Sequence, residues 1–395
     1  MARKPIMIRT FHAVGHGCFV TERFKSQKGN DEIKVVYDCG GTNKKVIERE
    51  INNAFKINDN IYALCISHFD NDHINGLPTL ISRCNKQIGK LWIPRLTIQE
   101  KIICILKFCL EYENDFSELS LIADFIYSPR DVLNDTEILE INGEDNTEIG
   151  QILDKLDKFK YNFDWIYAAF YHNDKSYDTV FKNLLNDSYW NKYIKLNSDK
   201  STVFSNTINK DNYEFNKDIF LNNLKDEKER KELLKKIRTF FNKYGGTNNN
   251  SLILYSGNDK DNQYELFLYI KPICFSYCCS PFCFSNHKLL KTGCLYLGDY
   301  NASKYFNASK DEEYLKKYLN KCDTILLPHH GSLESFSDNL LEYGFKFAVA
   351  CHDIGDRYGH PSSWVCDQLY LNNKTIISVT EETSTSASFI ICHER

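Results

Sequence analysis

The feature of this sequence that most constrains the fold is a ligand-rich segment directly after an apolar run. Residues 61–66 predict a buried strand, and the chain continues as Ser67-His68-Phe69-Asp70-Asn71-Asp72-His73. Four of these seven positions carry an imidazole or a carboxylate group. Because a rigid strand fixes the spacing of side chains on the loop that follows it, the segment indicates a divalent-metal site.

The same order, a strand and then a metal-binding residue type, occurs three more times. Asp299 follows the apolar residues 294–297, His329 and His330 follow 325–328, and His360 lies downstream of 347–351. Buried carboxylates and imidazoles are costly unless they are paired or metal-bound, so their repetition favours convergence on one site. The alternative is a surface turn whose His and Asp residues cap a helix near residue 74.

The ordered set of motifs resembles the metallo-β-lactamase-fold hydrolases and, within them, the hydrolase domain of the competence protein ComEC. The resemblance covers about the first 80 and the last 150 residues. Its motifs are Phe11-His12-Ala13-Val14-Gly15-His16-Gly17, Tyr37-Asp38-Cys39-Gly40, the His-x-Asp-x-Asp-His loop, Asn250-Ser251-Leu252-Ile253-Leu254, Leu297-Gly298-Asp299, Pro328-His329-His330-Gly331-Ser332 and Tyr358-Gly359-His360-Pro361.

The resemblance implies an α/β fold, a four-layer αβ/βα sandwich of two mixed sheets with helices outside and a metal site at one edge. We expect its halves at residues 1–84 and 245–395, separated by a mostly helical insertion at 85–244. The insertion would lie over the mouth of the site as a cap or as a docking surface for a protein partner. Its aromatic stretch at 161–193 would form the core of the insertion or, alternatively, stack on nucleobases.

The resemblance also assigns roles to residues. The implied metal ligands are His68, Asp70, Asp72, His73, Asp299 and His360, supported from behind by Asp38, Asn250 and Ser251. Asp70 stands where most of the superfamily has a second His, and an oxygen ligand there favours manganese or magnesium more than imidazole would. We expect one or two divalent ions, Zn²⁺ or Mn²⁺, with Mg²⁺ as the alternative.

Three residues are candidates for catalysis. Asp72 would bridge the metals and steer the attacking water. One of His329 and His330 would complete the metal site, while the other would contact the scissile phosphate or protonate the leaving group. The sequence does not distinguish these two histidines.

The chain departs from the superfamily pattern at two places. The His that usually precedes the Ser-Leu-Ile-Leu-type strand is absent from residues 245–251, which leaves full occupancy of one metal position open. The opening strand carries His12 and His16 where ComEC-like domains have Asp and Gln. Each is either an extra ligand or a hydrogen-bonded structural residue, and the second interpretation is favoured. His172 is expected to be solvated.

Composition limits the setting. The formal net charge of −4 argues against a basic nucleic-acid binder overall, although metals reduce the need for positive charge. The start of the chain lacks an apolar leader and no stretch approaches about 18 apolar residues, so we expect a cytoplasmic protein, with no membrane contact and with free thiols among its 15 cysteines. A structural zinc is a less favoured option for Cys274, Cys278, Cys279 and Cys283 with His287.

These features favour a metal-dependent phosphodiesterase, most simply a nuclease acting on DNA and serving as an effector of bacterial defence. The first alternative is hydrolysis of a small ester such as a cyclic nucleotide, a lactone or a thioester. The second is a non-catalytic subunit that docks a partner such as an ATPase. An open basic channel would favour nucleic acid, and a deep closed pocket would favour the small ester.

Overall fold

The structure is a computed structural model. It describes residues 5–25, 32–111, 116–142, 154–155, 165–173, 176–196, 213–245, 250–258, 264–270, 291–307, 309–355 and 358–393. The cysteine group at 274–283 and His287 lie outside these ranges. Among the described residues, no helix is both long and apolar enough to cross a lipid bilayer.

The first sheet has eight strands and is mixed. In spatial order they are β12 (Tyr264–Ile270), β17 (Ala387–His393), β1 (Pro5–Phe11), β2 (Val20–Lys25), β3 (Glu32–Tyr37), β4 (Ile61–Cys65), β5 (Ile88–Pro94) and β6 (Glu137–Ile141). Pairing is antiparallel from β12 to β3 and parallel from β3 to β6. The strand predicted at 61–66 is thus a central parallel strand, and its uninterrupted apolar sequence reflects burial on both faces.

The second sheet has seven strands and is also mixed. In spatial order they are β16 (Thr375–Val379), β15 (Phe347–Cys351), β14 (Cys322–Leu326), β13 (Gly293–Tyr296), β11 (Ser251–Asn258), β8 (Trp165–His172) and β7 (Asp154–Lys155). The pairs from β16 to β13 are parallel and those from β13 to β7 antiparallel. The short strands β9 (Ile194–Leu196) and β10 (Tyr213–Phe215) form a separate ribbon.

The two sheets pack face to face with helices outside, so the predicted four-layer sandwich is confirmed. A core between the sheets joins side chains of both, among them Phe11, Trp92, Tyr171, Leu254 and Phe389. The outer face of the first sheet is covered by α1 (Lys44–Ala54), α2 (Asn71–Ile74) and α3 (Leu77–Arg83) together with the larger helical region. The outer face of the second sheet is covered by α10 (Ala302–Tyr305), α11 (Ser309–Leu319) and α12 (Ser363–Leu371).

The helical region lies within the predicted insertion but is narrower than 85–244. It comprises α4 (Ile98–Glu111), α5 (Phe116–Tyr127), α6 (Pro129–Val132), α7 (Ser176–Leu185), α8 (Lys217–Lys225) and α9 (Glu227–Tyr244). Strands β5 to β8 fall inside 85–244 yet belong to the two main sheets, which corrects the predicted boundaries. Strand β8, for example, is a continuous apolar and aromatic run, and periodicity alone does not separate such a run from a buried helix.

The aromatic stretch also differs from the expectation of a separate core. Trp165, Tyr167 and Tyr171 lie on strand β8 and pack between the two sheets, while Phe170 packs under the outer helices. Trp190 is buried among the helices of the helical region. These aromatics are all core residues, so they are unavailable for stacking on nucleobases.

A buried polar cluster links the two sheets away from the site. The Arg9 guanidinium donates to Glu22 at 2.6 Å and to the Tyr296 hydroxyl at 2.9 Å. Glu22 also accepts from the hydroxyls of Tyr296 at 2.7 Å, Tyr167 at 2.6 Å and Ser256 at 2.6 Å. Because both charges are fully hydrogen-bonded, burial of this ion pair is tolerated.

Candidate metal centre

The candidate site lies where several parallel strands of both sheets end. Asp38 follows β3, the His68 to His73 loop follows β4, Asp299 follows β13, and His329 and His330 follow β14. Carboxyl ends of parallel strands meet at one edge of a sheet, which is where α/β folds place their sites. The order of elements along the chain therefore brings these side chains together.

The innermost group consists of His68, His73 and Asp299. The Asp299 carboxylate lies 3.4 Å from His68 Nε2 and 3.3 Å from His73 Nε2. All three residues are buried, and their ligand atoms all lie within 4.8 Å of one another. We call this group the inner triad.

Asp38 and Ser67 hold the inner triad from behind. The Asp38 carboxylate accepts from Ser67 N at 2.7 Å, from Ser67 Oγ at 2.7 Å and from His73 Nδ1 at 2.8 Å. Because Nδ1 of His73 donates its proton to Asp38, its Nε2 presents a lone pair toward Asp299. The structure thus places Asp38 where the sequence analysis expects an orienting residue.

A second group, the outer triad, consists of His16, Asp72 and His330. Asp72 Oδ2 lies 3.1 Å from His330 Nε2, 4.0 Å from His16 Nε2 and 3.6 Å from His73 Nε2 of the inner triad. His330 Nδ1 donates to the Cys351 carbonyl oxygen at 2.9 Å, and this contact holds Nε2 of the same ring within hydrogen-bond distance of Asp72. Asp72 therefore connects the two triads.

The segment that carries His329 and His330 has an unusual backbone. Both residues have positive φ, 46° and 57°, in the left-handed region that side chains other than glycine seldom adopt. This turn sends the two imidazoles apart: His330 is buried against Asp72, whereas His329 keeps 40% of its side chain exposed, with its Nε2 3.8 Å from Asp299. The structure thus separates two neighbouring histidines that the sequence leaves equivalent.

At the site, burial and the neighbouring charges shift the pKa values of the ionisable groups in opposite directions. Burial by itself would raise the pKa values of Asp72 and Asp299, yet the neighbouring imidazoles lower both below the ordinary range. Burial by itself would lower the pKa of His73, yet the carboxylates of Asp72, Asp299 and Asp38 raise it well above its ordinary value. The carboxylates therefore require positive charge in their midst, either a proton or a cation.

The residues present fit a divalent cation. His68 Nε2, His73 Nε2 and Asp299 Oδ1 are buried and make no hydrogen bond, although buried polar atoms nearly always do. Two imidazoles and a carboxylate that converge on one point are a common ligand set for zinc and other transition metals. The unsatisfied atoms are thus explained by an ion, which the inner triad would hold with Asp72 near by.

Two predicted ligands lie outside both triads. The Asp70 carboxylate is ion-paired with Lys107 of α4, whose Nζ is 3.0 Å from each oxygen. His360 lines the cavity above the site, with its ring 5.8 Å from that of His16 and 5.7 Å from that of His329. Of the residues expected to support the ligands, Ser251 accepts from Asp299 N at 3.2 Å and Asn250 donates to Asn173 at 3.3 Å.

Two further histidines considered from the sequence, His12 and His172, are structural. His12 lies 2.8 Å from the Thr21 hydroxyl and 3.7 Å from Glu50, away from the triads. His172 was expected to be solvated, and this is wrong: it is 8% exposed and its Nδ1 lies 2.7 Å from Asp311. Its position at the end of the aromatic strand β8, under α11, explains the burial.

A cavity of about 1210 Å³ opens above the two triads. Five of its lining residues are acidic, namely Asp70, Asp72, Asp299, Glu334 and Asp353, and no lysine or arginine is among the lining residues that the structure describes. The lining also includes the exposed apolar side chains of Leu333, Ile354 and Tyr358. The described part of the lining is therefore acidic and apolar rather than basic.

With this geometry in view, the chain can be compared with known families. Residues 28–94 match the Metallo-beta-lactamase superfamily. The matched segment runs from strand β3 to strand β5 and includes Asp38 and the whole loop from His68 to His73. A comparison with curated proteins finds no match.

The superfamily match and the sandwich agree, so the fold is that of a metallo-β-lactamase domain. Members of this superfamily are in general metal-dependent hydrolases, which indicates the same class of chemistry here. The match is to the superfamily as a whole, and the resemblance to the ComEC type remains a prediction.

Proposed function

We propose that the protein is a metal-dependent phosphodiesterase, and specifically a nuclease acting on DNA. The observation that carries the proposal is the pair of triads joined by Asp72, which gives two adjacent groups of ligands below an open cavity. Two-metal sites of this kind act on phosphodiesters by stabilising both the attacking and the leaving oxygen. We propose Zn²⁺ or Mn²⁺ as the ion.

Divalent ions at the triads would supply Lewis acidity and lower the pKa of a water molecule toward neutrality. The residues of the chain provide the remaining functions. Asp299 and Asp72 each lie near imidazoles of both triads and would hold the ions at which the reacting phosphate binds. His330 is buried and directed at Asp72, which suits a ligand, so His329 is left as the acid for the leaving oxygen.

The position of His329 fits this role. Its imidazole reaches the cavity, and its Nδ1 lies 3.3 Å from the Ser335 hydroxyl, which would keep the ring oriented. A general acid must lie within reach of the leaving group while remaining accessible to solvent protons. Among the two histidines of this turn, only His329 combines exposure with proximity to Asp299.

The exposed aromatic side chain of Tyr358 in the cavity lining supports a nucleotide substrate. Tyr358 is 57% exposed, and its ring lies 6.0 Å from that of His360 at an interplanar angle of 22°. An exposed aromatic face beside a metal site can stack on a nucleobase while the adjacent phosphate reaches the ions.

One observation favours a second candidate, the hydrolysis of a small ester. The described lining of the cavity has no lysine or arginine, and a long polyanion gains most of its affinity from such side chains. A cyclic nucleotide, lactone or thioester depends less on them. The non-catalytic alternative predicts incomplete ligand groups, and the two complete triads argue against it.

Two parts of the proposal rest on the resemblance alone. One is the biological setting, an effector of bacterial defence, and the other is a protein partner that docks on the helical region.

The deciding experiment is cleavage of linear, circular and single-stranded DNA with Mn²⁺, Mg²⁺ or Zn²⁺, run beside a cyclic dinucleotide, a lactone and a thioester. The double variant Asp72→Ala/His73→Ala removes one ligand from each triad. Asp311→Asn is the matched control, since Asp311 is a buried, His-paired carboxylate outside both triads. We expect metal-dependent DNA cleavage by the wild type and the control but not by the double variant. Turnover of a small ester without DNA cleavage would replace the nuclease assignment.

A further inference from the structure

The loop between β1 and β2 is pinned against the metal loop. His16 N donates to Asp353 at 2.9 Å, and the Thr42 hydroxyl donates to the His16 carbonyl oxygen at 2.9 Å. Gly17 has a φ of +137°, and a Cβ at this position would lie 2.4 Å from the Asp72 carbonyl oxygen. The close contact between the backbones of Gly17 and Asp72 thus fixes the position of the neighbouring His16 imidazole.

The His16 imidazole reaches the outer triad. Its ring centroid is 3.9 Å from that of His330, and its Nε2 is 4.0 Å from Asp72 Oδ2. That separation is too long for a hydrogen bond. It remains within the span of two ligands on one ion, because ligands at about 2.0–2.2 Å from a metal can lie up to about 4.4 Å apart.

Asp70, the predicted ligand in the neighbouring loop, has a different partner. Lys107 Nζ is 3.0 Å from both of its oxygens, and only 14% of the Lys107 side chain is exposed. An ammonium group held at both oxygens supplies the positive charge that a metal ion would otherwise provide.

We propose that His16, with Asp72 and His330, binds the second cation, and that Lys107 rather than a metal neutralises Asp70. The inference rests on the metal site of the proposed function but not on its substrate. In this assignment Asp72 stays in the ligand set of the outer ion, while His16 from the loop between β1 and β2 takes part in place of Asp70 from the loop after β4. The helical region would then contribute a permanent cation through α4.

Metal binding by three single variants tests this assignment. Each purified protein is stripped of metal and titrated with Zn²⁺ or Mn²⁺ against a competing chelator, and the metal content is then measured by mass spectrometry. His16→Gln removes the proposed ligand. His12→Gln is its matched control in the same segment, and Asp70→Asn removes the carboxylate held by Lys107. We expect His16→Gln to lower the affinity for one cation by at least about tenfold, or to abolish its binding. The other two variants should bind metal as the wild type does.

Unchanged binding by His16→Gln, or loss of a cation in Asp70→Asn, would overturn the assignment. Thermal unfolding in EDTA checks that His16→Gln is folded, so that a loss of metal is not a loss of structure. The titration requires no substrate. A wild type that binds the ions but cuts no DNA would overturn the nuclease proposal alone, whereas a wild type that binds none would overturn both.

Discussion

Two buried polar clusters of this protein differ in one respect that identifies the metal centre. In the Arg9 and Glu22 cluster, the guanidinium nitrogens and both carboxylate oxygens are hydrogen-bonded to other groups of the chain. In the inner triad, equally buried nitrogen and oxygen atoms converge without hydrogen bonds. A satisfied cluster holds the sheets together, while an unsatisfied one requires a ligand.

Burial and charge alone would not separate the two clusters. Arg9 and Asp38 are both fully buried, and each cluster contains groups of both signs. The distinction lies in where the lone pairs point, which depends on the tautomer that the supporting residues impose. Asp38 fixes that tautomer for His73. The Arg9 cluster needs no such constraint, because the nitrogens of a guanidinium group are always donors.

The largest expected effect comes from removing a ligand. Asp299→Asn should lower the rate of the proposed metal-dependent hydrolysis at least about 10³-fold, because the carboxylate faces both imidazoles of the inner triad. Initial rates with saturating metal measure this loss. Asp311→Asn, which removes a buried carboxylate outside both triads, is the control and should keep its rate. A similar loss in both variants would show that the loss does not come from removing a metal ligand.

The converse experiment breaks the satisfied cluster. Glu22→Gln leaves the buried Arg9 guanidinium without a counter-charge and should lower the free energy of unfolding by about 3–5 kcal/mol. Urea denaturation followed by circular dichroism measures the change. Metal affinity of the folded fraction should stay at the wild-type value; a loss of affinity would mean that the two clusters are coupled.

Metal addition should stabilise the protein through the triads and not through the Arg9 and Glu22 cluster. At a free-ion concentration of 100 times the dissociation constant, a cation that binds the folded state adds about 2.7 kcal/mol to the free energy of unfolding. Thermal unfolding with Zn²⁺ and with EDTA measures the gain in the wild type. His68→Ala should abolish most of it, and Glu22→Gln should retain it.

The smallest expected effect is a change in the free energy of unfolding at Asp323, which lies outside the triads. Asp323 Oδ2 is buried without a hydrogen bond, and burial raises the pKa of Asp323 to about 6. Because the folded-state pKa exceeds the unfolded value of about 3.9, the carboxylate costs stability as pH rises from about 4 to 6. Asp323→Asn should therefore add about 1–3 kcal/mol at pH 7 and nothing near pH 3.5. Equal effects at both pH values would show that the charge is not the cause.

The parts of the candidate site that depend on the order of the strands could be predicted from the sequence. The positions of Asp38, the loop after β4, Asp299 and the pair His329 and His330 follow from parallel strands ending at one edge, and these were predicted. A mostly helical insertion was also predicted, and the helices found in it include α4, α8 and α9, of which the last two are separated at Asp226, whose side chain caps α9.

The rest depended on contacts between distant parts of the chain. Lys107 meets Asp70 only because α4 folds back over the loop, and neither residue carries a local signal for the other. His16 approaches Asp72 because Gly17 allows its own backbone to lie in contact with that of Asp72. The spacing of residues along the sequence does not reveal this contact. His172 was misjudged for the same reason, since its partner Asp311 lies 139 positions away on α11.

The central claim is that His68, His73 and Asp299 hold a divalent ion. The most direct measurement is anomalous X-ray diffraction from crystals grown with Zn²⁺ or Mn²⁺, recorded on both sides of the metal absorption edge. We predict an anomalous peak about 2.0–2.2 Å from Nε2 of both histidines and from an Asp299 oxygen. No peak at this position, with the two imidazoles hydrogen-bonded to Asp299 instead, would contradict the account.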